Sequence, residues 1–400
     1  MAELELSIMS RGPTTVADLQ PLLDQFEAEQ RVHVRLRVLN WDTAWADLLK
    51  VALYQYGPDV SEIGSTWLSS FGAMDALQPF VGSRASAAGD PSVFLSSLWR
   101  SGMLAQRAAE PALPWAVPWW ADTRIIYYRR DLLAQAGVDP TQVAFDSPPH
   151  LARTLDRLQA ASVPIPWVVP THQSRMTVHN VAGWVWGAGG DFVTADGRYV
   201  LFDRPEAQAG ICAYLDLARF LAEPARGLDD TQSDGLFGQG QAAAAISGPW
   251  LLQFASPEVI AQIGMAFPPG VPFVGGSHLV LWKHAVHDAA AVKLIRFLTS
   301  QHVQSSFGRR AGLLPTRHDV LSSPPFSDDP LYQVLAQGLK VGRSFPSVPL
   351  WGLVEEKLNE VLGHLWADLL VSPSLDLEKA VAEHLEPLAR RLNVTLRSRQ

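Results

Sequence analysis

Two glycine-containing motifs in this sequence carry residue types that some enzymes use, but each lacks part of the context it needs. Ser277 follows two glycines, yet a nucleophile elbow also requires a glycine two positions after the serine, where Leu279 stands. The segment 238–243 matches a loose dinucleotide-binding pattern, but a strand pattern follows it instead of a helix. We predict neither chemistry, and the glycines before Ser277 favour a close approach of the main chain to a ligand.

The sequence also lacks a complete set of residues for a metal site or for acid–base catalysis. His284 and His287 stand three residues apart without a matching carboxylate motif, and Cys212 is the single cysteine. A glycosidase needs two carboxylates on separate elements that face each other across a cleft. The aspartates that could occupy such places are Asp42, Asp59 and Asp122. Because spacing does not choose among them, we predict no metal, no cofactor and no catalysis, with a secreted carbohydrate-active hydrolase as the alternative.

The 14 tryptophans outnumber the 7 tyrosines and the 6 methionines, and many of them lie off the core periodicities. Eight occur at strand ends, helix starts or loops rich in glycine and proline, where α/β folds bind ligands. These are Trp41, Trp67, Trp119, Trp120, Trp184, Trp186, Trp250 and Trp351. An indole face packs on the C–H face of a pyranose, and its N–H adds a donor at the rim. Core packing is the competing interpretation for each of them, and some of the eight must belong to the core.

Polar residues beside these tryptophans could hydrogen-bond sugar hydroxyls, since aspartate and arginine can each engage two neighbouring groups. They are Ser10, Arg11, Asp42, Ser65, Thr66, Asp122 and Arg317. A polyamine or another cation is a second alternative ligand, but it would need several acidic residues around an aromatic cage. The aromatic loops carry few carboxylates beyond two of these aspartates, so we rank that ligand below a sugar.

The elements that must position these residues follow an α/β pattern. Alternating apolar residues predict strands at 3–9 and 32–38, and a short third strand is predicted at 59–63 after Gly57-Pro58, with helical periodicity between the strands. Strand, helix, strand, helix, strand is the order of a parallel α/β sheet. Proline-marked segments near 111–122, 263–270 and 311–316 are candidate crossings between two lobes. The predicted lobes are 1–114 with 268–312, and 115–267 with 313–400.

Composition narrows the class of protein. The 400 residues are 48% hydrophobic and 18% charged, which is typical of a globular chain with two domains. The net charge is −8 and no lysine or arginine run occurs, so we predict no nucleic-acid partner. The longest apolar stretch, near 242–255, is broken by glycine and proline and falls short of the roughly 20 residues of a membrane span.

Three motif groups in fixed order carry a resemblance to a known family. The first group comprises Val117-Pro118, Asp122-Thr123-Arg124, Tyr127-Tyr128, Asp131-Leu132-Leu133 and Ala136-Gly137-Val138. The second comprises the segment 237–243 and Ile246-Ser247-Gly248-Pro249-Trp250, and the third Gly275-Gly276, the helix at 289–299 and Gly312 before Pro315. The chain resembles the family-1 extracellular solute-binding proteins of ABC transporters, which are similar to maltose-binding protein and carry sugars.

The resemblance implies an α/β fold of the two-lobe periplasmic-binding-protein type (type II), with three hinge crossings and a ligand cleft between the lobes. It implies a receptor of an ABC sugar importer that captures a mono- or oligosaccharide by aromatic stacking, hydroxyl hydrogen bonds and hinge closure. Trp250 is the best single candidate for a stacking platform. The full set of predicted ligand-binding residues is Arg11, Trp41, Asp42, Ser65, Thr66, Trp67, Trp119, Trp120, Asp122, Trp184, Trp186, Trp250, Gly276, Ser277, His278, Arg317 and Trp351.

The expected partners are a carbohydrate and an ABC permease in the membrane, and we expect a monomer. The resemblance implies a periplasmic or extracellular location, with membrane anchoring through an N-terminal segment outside the printed sequence. Two departures from the family pattern stand out: Ser147-Pro148-Pro149-His150 replaces a usual Thr-Trp-Asp-Glu helix start, and Ser277-His278 stands where some members place an aromatic residue.

Overall fold

The computed structural model describes residues 2–85, 89–105, 111–139, 145–172, 174, 176–308 and 310–397. The chain divides into two compact units, a first unit of Met1–Asp122, Val274–Gln333 and Ser344–Gly352, and a second unit of Thr123–Phe273, Val334–Arg343 and Leu353–Gln400. The predicted boundaries after residues 114 and 267 fall before these divisions. Residues 313–333 belong to the first unit, not to the second, because Leu314–Pro315 forms a strand in the first unit's sheet.

The strands of the described chain are β1 Ala2–Met9, β2 Val32–Leu39, β3 Val60–Gly64, β4 Met103–Leu104, β5 Leu113–Pro114, β6 Val117–Thr123, β7 Ile125–Arg129, β8 Ala244–Ser247, β9 Ile263–Ala266, β10 Val274–Leu281 and β11 Leu314–Pro315. The α-helices are α1 Thr15–Gln30, α2 Trp41–Tyr54, α3 Leu68–Ala73, α4 Ser96–Ser101, α5 Arg130–Gln135, α6 Pro148–Ala160, α7 Met176–Gly187, α8 Pro205–Leu215, α9 Asp230–Gly238, α10 Leu251–Phe254, α11 Pro257–Ile260, α12 Asp288–Leu298, α13 Gln301–Phe307, α14 His318–Leu321, α15 Pro330–Val341, α16 Trp351–Val371 and α17 Leu377–Arg397. In the described ranges no helix is both long enough and apolar enough to cross a membrane.

The first unit is built on a six-stranded sheet of order β11-β6-β10-β3-β1-β2. As the order of strands and helices predicted, β1 is parallel to both β2 and β3, whereas β10 and β11 run antiparallel to their partners β3 and β6. Successive strand residues point to opposite faces of a sheet. Leu4 and Leu6 therefore enter one buried cluster with α1 and α12, and Met9 enters a second cluster with α2 and α3. Helices thus cover both faces of this sheet.

The second unit contains a three-stranded antiparallel sheet of order β8-β7-β9. Its residues are almost all buried, since Ile125, Ile126 and Tyr127 on β7 are fully enclosed. Helices α7 and α8 pack against each other, and α17 packs against α8. Because β8 leads directly into Gly248-Pro249-Trp250, this sheet fixes where Trp250 begins its helix.

Gly276 lies on β10 at the point where that strand approaches β6. Its φ is +137°, and a Cβ atom built there would lie 2.0 Å from the backbone oxygen of Trp120. The sequence predicted that this glycine lets the main chain approach a ligand, whereas the close approach seen here is to the neighbouring strand. A side chain would both clash and force a backbone conformation that residues other than glycine disfavour.

The Gly276→Ala change should destabilise the protein by about 2 kcal/mol or more, because strain and overlap act together. Denaturant unfolding measures this loss directly as a lower midpoint. Gly235→Ala is the matched control, because Gly235 lies in helix α9 with open space around its Cα. Equal unfolding midpoints for the two alanine variants would contradict this prediction.

His278, two residues further along β10, is enclosed in the first unit. Its Nε2 lies 3.1 Å from Ser101 Oγ and 3.3 Å from the Leu98 backbone oxygen. Burial disfavours the imidazolium and lowers the pKa of His278 to about 4. Ser277 is equally buried. Both side chains therefore pack inside the unit, and we leave them out of the proposed ligand contacts.

The buried His278 should make folding less favourable in acid. The unfolded chain takes up a proton near the ordinary histidine pKa of 6.5, but the folded chain does so only near 4. The contribution of the neutral His278 to the free energy of unfolding is fully present above pH 6.5. It declines as the pH falls towards 4, and about 2 kcal/mol of it is lost at pH 5. His278→Gln should lose less stability than wild type between about pH 7 and about pH 5. The exposed His302→Gln should follow wild type, and identical slopes for all three proteins would contradict the assignment.

Candidate functional site

Three tryptophans of the first unit form an aromatic cluster, which we call the first aromatic cluster. Trp41 and Trp45 lie one turn apart on α2, and Trp67 ends the 3-10 helix Ser65–Trp67 that follows β3. The ring centroids of Trp41 and Trp45 lie 5.7 Å and 5.5 Å from that of Trp67, both edge to face. All three side chains are half-buried, so they keep exposed indole surface on a fixed support.

Local sequence explains this arrangement. The Asn40 side chain caps α2 by accepting the Asp42 backbone N–H at 3.0 Å, which places Trp41 in the first turn. Gly64 ends β3, and the Trp67 ring packs so closely on it that a Cβ would lie 3.3 Å from Trp67 Cε2. Beside the rings, Asp42 is exposed and the two residues before Trp67, Ser65 and Thr66, are half-buried.

A buried ion pair supports the first aromatic cluster. Arg11 follows β1 and pairs with Glu62, which is fully buried in β3 and also accepts the Met9 backbone N–H at 2.7 Å. The guanidinium carbon of Arg11 lies 5.6 Å from the Trp41 ring centroid, within cation–π range. Sequence reasoning found Arg11 and missed Glu62. The available signal was a lone glutamate inside a strand whose other residues are small or apolar.

Trp119 and Trp120 lie on β6 and are core residues of the first unit. Both rings pack near Phe307, and Trp119 Nε1 donates to the Leu298 backbone oxygen at 3.1 Å. Because β6 is an inner strand of a sheet with helices on both faces, side chains on either side of it are covered. We therefore leave both tryptophans out of the proposed site.

The other predicted residues of the first unit lie in separate surroundings. Arg317 makes a bidentate ion pair with Asp319, at 2.9 and 2.7 Å, and lines a cavity of about 630 Å³ together with Lys293 and Arg296. Trp351 is buried, with its ring centroid 4.4 Å from that of Phe345. The remaining predicted residue of β6, Asp122, is half-buried.

In the second unit, Trp250 is half-buried at the start of α10. Its ring folds back over Gly248, where a Cβ would lie 2.2 Å from Trp250 Cζ3. Its Nε1 donates to Asp234 Oδ2 at 2.8 Å, and the Arg124 guanidinium carbon lies 4.7 Å from its ring centroid. We call Trp250, Asp234 and Arg124 the Trp250 group. The sequence predicted the tryptophan but neither of its charged partners.

The Arg124 side chain continues into a hydrogen-bonded chain. Its Nη2 donates to His179 Nδ1 at 3.2 Å, and His179 Nε2 lies 2.6 Å from Glu355 Oε1. Since arginine can only donate, His179 Nδ1 is the acceptor. The ring proton is then on Nε2, which donates a hydrogen bond to Glu355 Oε1. The His179 ring stacks on Phe273 at 4.3 Å between centroids. Arg124 is thus linked through His179 to Glu355.

Two carboxyl groups of α9 have raised pKa values. Burial raises the pKa of Asp234 to about 7, against hydrogen bonds from Ser247 and Trp250 that lower it. Burial also raises the pKa of Asp230, which accepts from Ser174 Oγ at 2.7 and 2.8 Å. The two groups lie one helical turn apart, and the charge of Asp230 also raises the pKa of Asp234.

Trp184 and Trp186 on α7 are packing residues of the second unit. Trp184 is buried, with its ring edge-to-face against Tyr214 at 5.1 Å between centroids. Trp186 is also buried, donates to Asp191 Oδ1 at 3.3 Å, and has the Arg343 guanidinium 5.0 Å from its ring centroid. Neither is included in the proposed site. No group of three or more metal-ligating side chains occurs in the described part of the chain.

Comparisons with known proteins agree with this architecture. The "Diacetylchitobiose binding protein DasA" of Streptomyces coelicolor is 22% identical over 374 residues, which are 90% of this chain and 84% of that protein. A "Probable ABC transporter-binding protein" of Deinococcus radiodurans is 22% identical over 242 residues, 56% of this chain and 57% of that one.

Solved structures show the same fold over nearly the whole chain. The sugar-binding protein MalE of Xanthomonas citri has a TM-score of 0.80 at 23% identity and covers 100% of this chain and 98% of its own. A solute-binding protein of Thermotoga lettingae, bound with alpha-D-tagatose, has a TM-score of 0.82 at 20% identity, with 99% and 100% covered. The predicted two-lobe periplasmic-binding-protein fold is confirmed.

The family model for bacterial extracellular solute-binding proteins matches residues 12–305, which is well over half of the chain. Members of this family are binding proteins that act in the periplasm or outside the cell. On the strength of that match, the chain belongs to the bacterial extracellular solute-binding proteins.

Proposed function

We propose that this chain is the substrate-binding receptor of an ABC sugar importer, which captures a neutral mono- or oligosaccharide and releases it unchanged to a membrane permease. Relatives and structural neighbours of this chain include proteins whose names state diacetylchitobiose, tagatose, maltose, acarbose or ribitol as the ligand. Within the structure, the observation that carries the proposal is the first aromatic cluster, with half-buried indoles on a rigid support. Such rings match the apolar faces of sugar rings.

The contacts in the first unit divide into stacking and hydrogen bonding. Trp41 and Trp67 would supply the ring faces, since Trp45 packs between Trp67 and Phe71. Arg11, which Glu62 holds in place, would donate hydrogen bonds to sugar hydroxyls. The exposed Asp42 would accept hydrogen bonds from them. Taken by itself, the second unit offers the half-buried Trp250 indole as a further stacking surface. Because each stacked sugar ring needs its own platform, several available indoles favour more than one ring.

Two other functions fit less well. A polyamine would need several acidic side chains around the rings. The carboxyl groups described beside the first aromatic cluster are the exposed Asp42 and the buried Glu62, which is already paired with Arg11. A hydrolase would need a raised-pKa carboxyl acting on the substrate, but the raised pKa of Asp234 belongs to a carboxyl that is 4% exposed and bonded to Trp250. We therefore propose binding without turnover.

Trp67→Ala should raise the sugar Kd about tenfold or more, because it removes a stacking face and the support of Trp41. Titration calorimetry against maltose, diacetylchitobiose, tagatose and related sugars would identify the ligand and give the Kd. Tyr54→Ala is the matched control, since Tyr54 lies on α2 with Trp41 but is 77% exposed.

Product analysis on any sugar that binds completes the test. Recovery of intact sugar supports a receptor, and cleavage would replace the proposal with the hydrolase. An unchanged Kd in folded Trp67→Ala would remove the first aromatic cluster from the ligand site.

A further inference from the structure

The Trp250 ring is held on three sides within the second unit. Its benzo edge lies against Gly248, its N–H is bonded to Asp234, and the Arg124 guanidinium lies over the ring. Gly248 is itself fixed, because its backbone oxygen accepts from Tyr127 Oη at 2.8 Å. Rotation of the indole would break the bond to Asp234 and the contact with Arg124 together. The orientation of this ring therefore depends on two side chains that are nearly inaccessible to solvent.

Arg124 is well placed to hold the ring because it is immobilised itself. It is 1% exposed, and its guanidinium carbon also lies 5.6 Å from the Phe273 ring centroid, so it contacts two aromatic rings. Its Nη2 donates to Met176 Sδ at 3.0 Å as well as to His179. A planar guanidinium can stack and donate at the same time, which a lysine ammonium cannot do.

The charged groups around Asp234 come from several elements. Asp234 interacts electrostatically with Asp230 of its own helix and with Arg124, which follows the end of β6. Asp230 in turn interacts with Asp229 and with His179 of α7. Glu355 of α16 reaches this group through His179. Asp230 and Asp234 thus both interact with the single guanidinium of Arg124. Ionisation of both carboxyl groups at once is therefore unfavourable.

We propose that Arg124 and Asp234 are positioning residues for Trp250, and that a proton on Asp234 sets how firmly the ring is held, so that sugar binding at Trp250 depends on pH. This inference rests on the proposed function for its sugar-binding part. When Asp234 is ionised, the indole N–H donates to a carboxylate, and such charge-assisted bonds are stronger than neutral ones. When Asp234 is protonated, the same N–H donates to a neutral carboxyl group.

Both forms are populated near neutral pH, since the pKa of Asp234 is about 7. The ring should be held more firmly above that pH than below it. At higher pH the Trp250 ring of the free protein is already held in place and has less motion to lose when a sugar binds. The sugar should therefore bind more tightly at higher pH. We expect the Kd to fall roughly threefold to tenfold between about pH 6 and about pH 8.

The first experiment needs no ligand. Fluorotryptophan-labelled protein is followed by fluorine NMR, and the Trp250 resonance is identified by its loss in Trp250→Phe. In wild type this resonance should shift with a midpoint near pH 7, and the shift should be absent in Asp234→Asn. Asp216→Asn, an exposed carboxylate of the same unit, is the control and should titrate as wild type. A Trp250 resonance that titrates identically in Asp234→Asn overturns the proposal.

The second experiment measures sugar affinity in folded variants. Arg124→Lys should raise the Kd about tenfold, because the stacked planar group is lost while the charge is kept. Arg219→Lys is the matched control, since Arg219 also lies over a ring, Phe220 at 4.6 Å, but on the surface. Asp234→Asn should remove the pH dependence of the Kd. A wild-type Kd in Arg124→Lys, or a pH profile kept in Asp234→Asn, contradicts the positioning role.

The two experiments separate this inference from the proposed function. If no sugar binds to wild type, the receptor proposal fails, whereas the fluorine titration still decides whether Asp234 controls the Trp250 ring. If sugar binds and the titration is insensitive to Asp234, the receptor proposal stands and the positioning role is rejected.

Discussion

Parallel pairing of three strands is the constraint on which the first aromatic cluster depends. In register, Met9 of β1 lies beside Leu39 of β2, and β3 runs in the same direction on the other side of β1. The chain leaves all three strands at one edge of the sheet, where parallel folds present their loops. Arg11, Trp41 and Trp67 are the residues that follow those three strand ends. Their proximity is therefore a result of topology, since they are far apart along the chain.

Buried carboxyl groups then determine which of these side chains have a defined orientation. Glu62 is enclosed in β3, and an unpaired carboxylate there would be costly, so it is satisfied by Arg11 and the Met9 backbone N–H. Asp234 plays the corresponding part in the second unit, where it accepts the Trp250 N–H. In the first unit the buried Glu62 pairs with Arg11, which lies against the half-buried Trp41 ring, and in the second unit the buried Asp234 bonds directly to the half-buried Trp250 ring. This gives rigid rings without covering them, which stacking on a ligand requires.

The local sequence did not predict which of the candidate tryptophans are buried. Trp41 and Trp119 both stand next to strand or helix ends and looked equivalent as candidates, yet one is half-buried and the other is core. The difference arises because β6 is an inner strand of the sheet, between β11 and β10. Strand order is set by long-range pairing, and no local pattern around Trp119 reports it. The same reason explains why Ser277 and His278, in the inner strand β10, are enclosed.

The sequence by itself determined the α/β class, the three parallel strands and the family resemblance, because periodicity and motif order are local properties of the chain. It also identified Trp41, Trp67 and Trp250 as candidates, since each follows a strand or starts a helix. Only the tertiary structure decided which tryptophans are half-buried and which charged groups hold them. Glu62 and Arg11 are separated by fifty residues, and Arg124, Asp234 and Glu355 by more, so their pairing depends on how the sheets and helices pack. Burial and electrostatic coupling are properties of that packing, and no residue carries them alone.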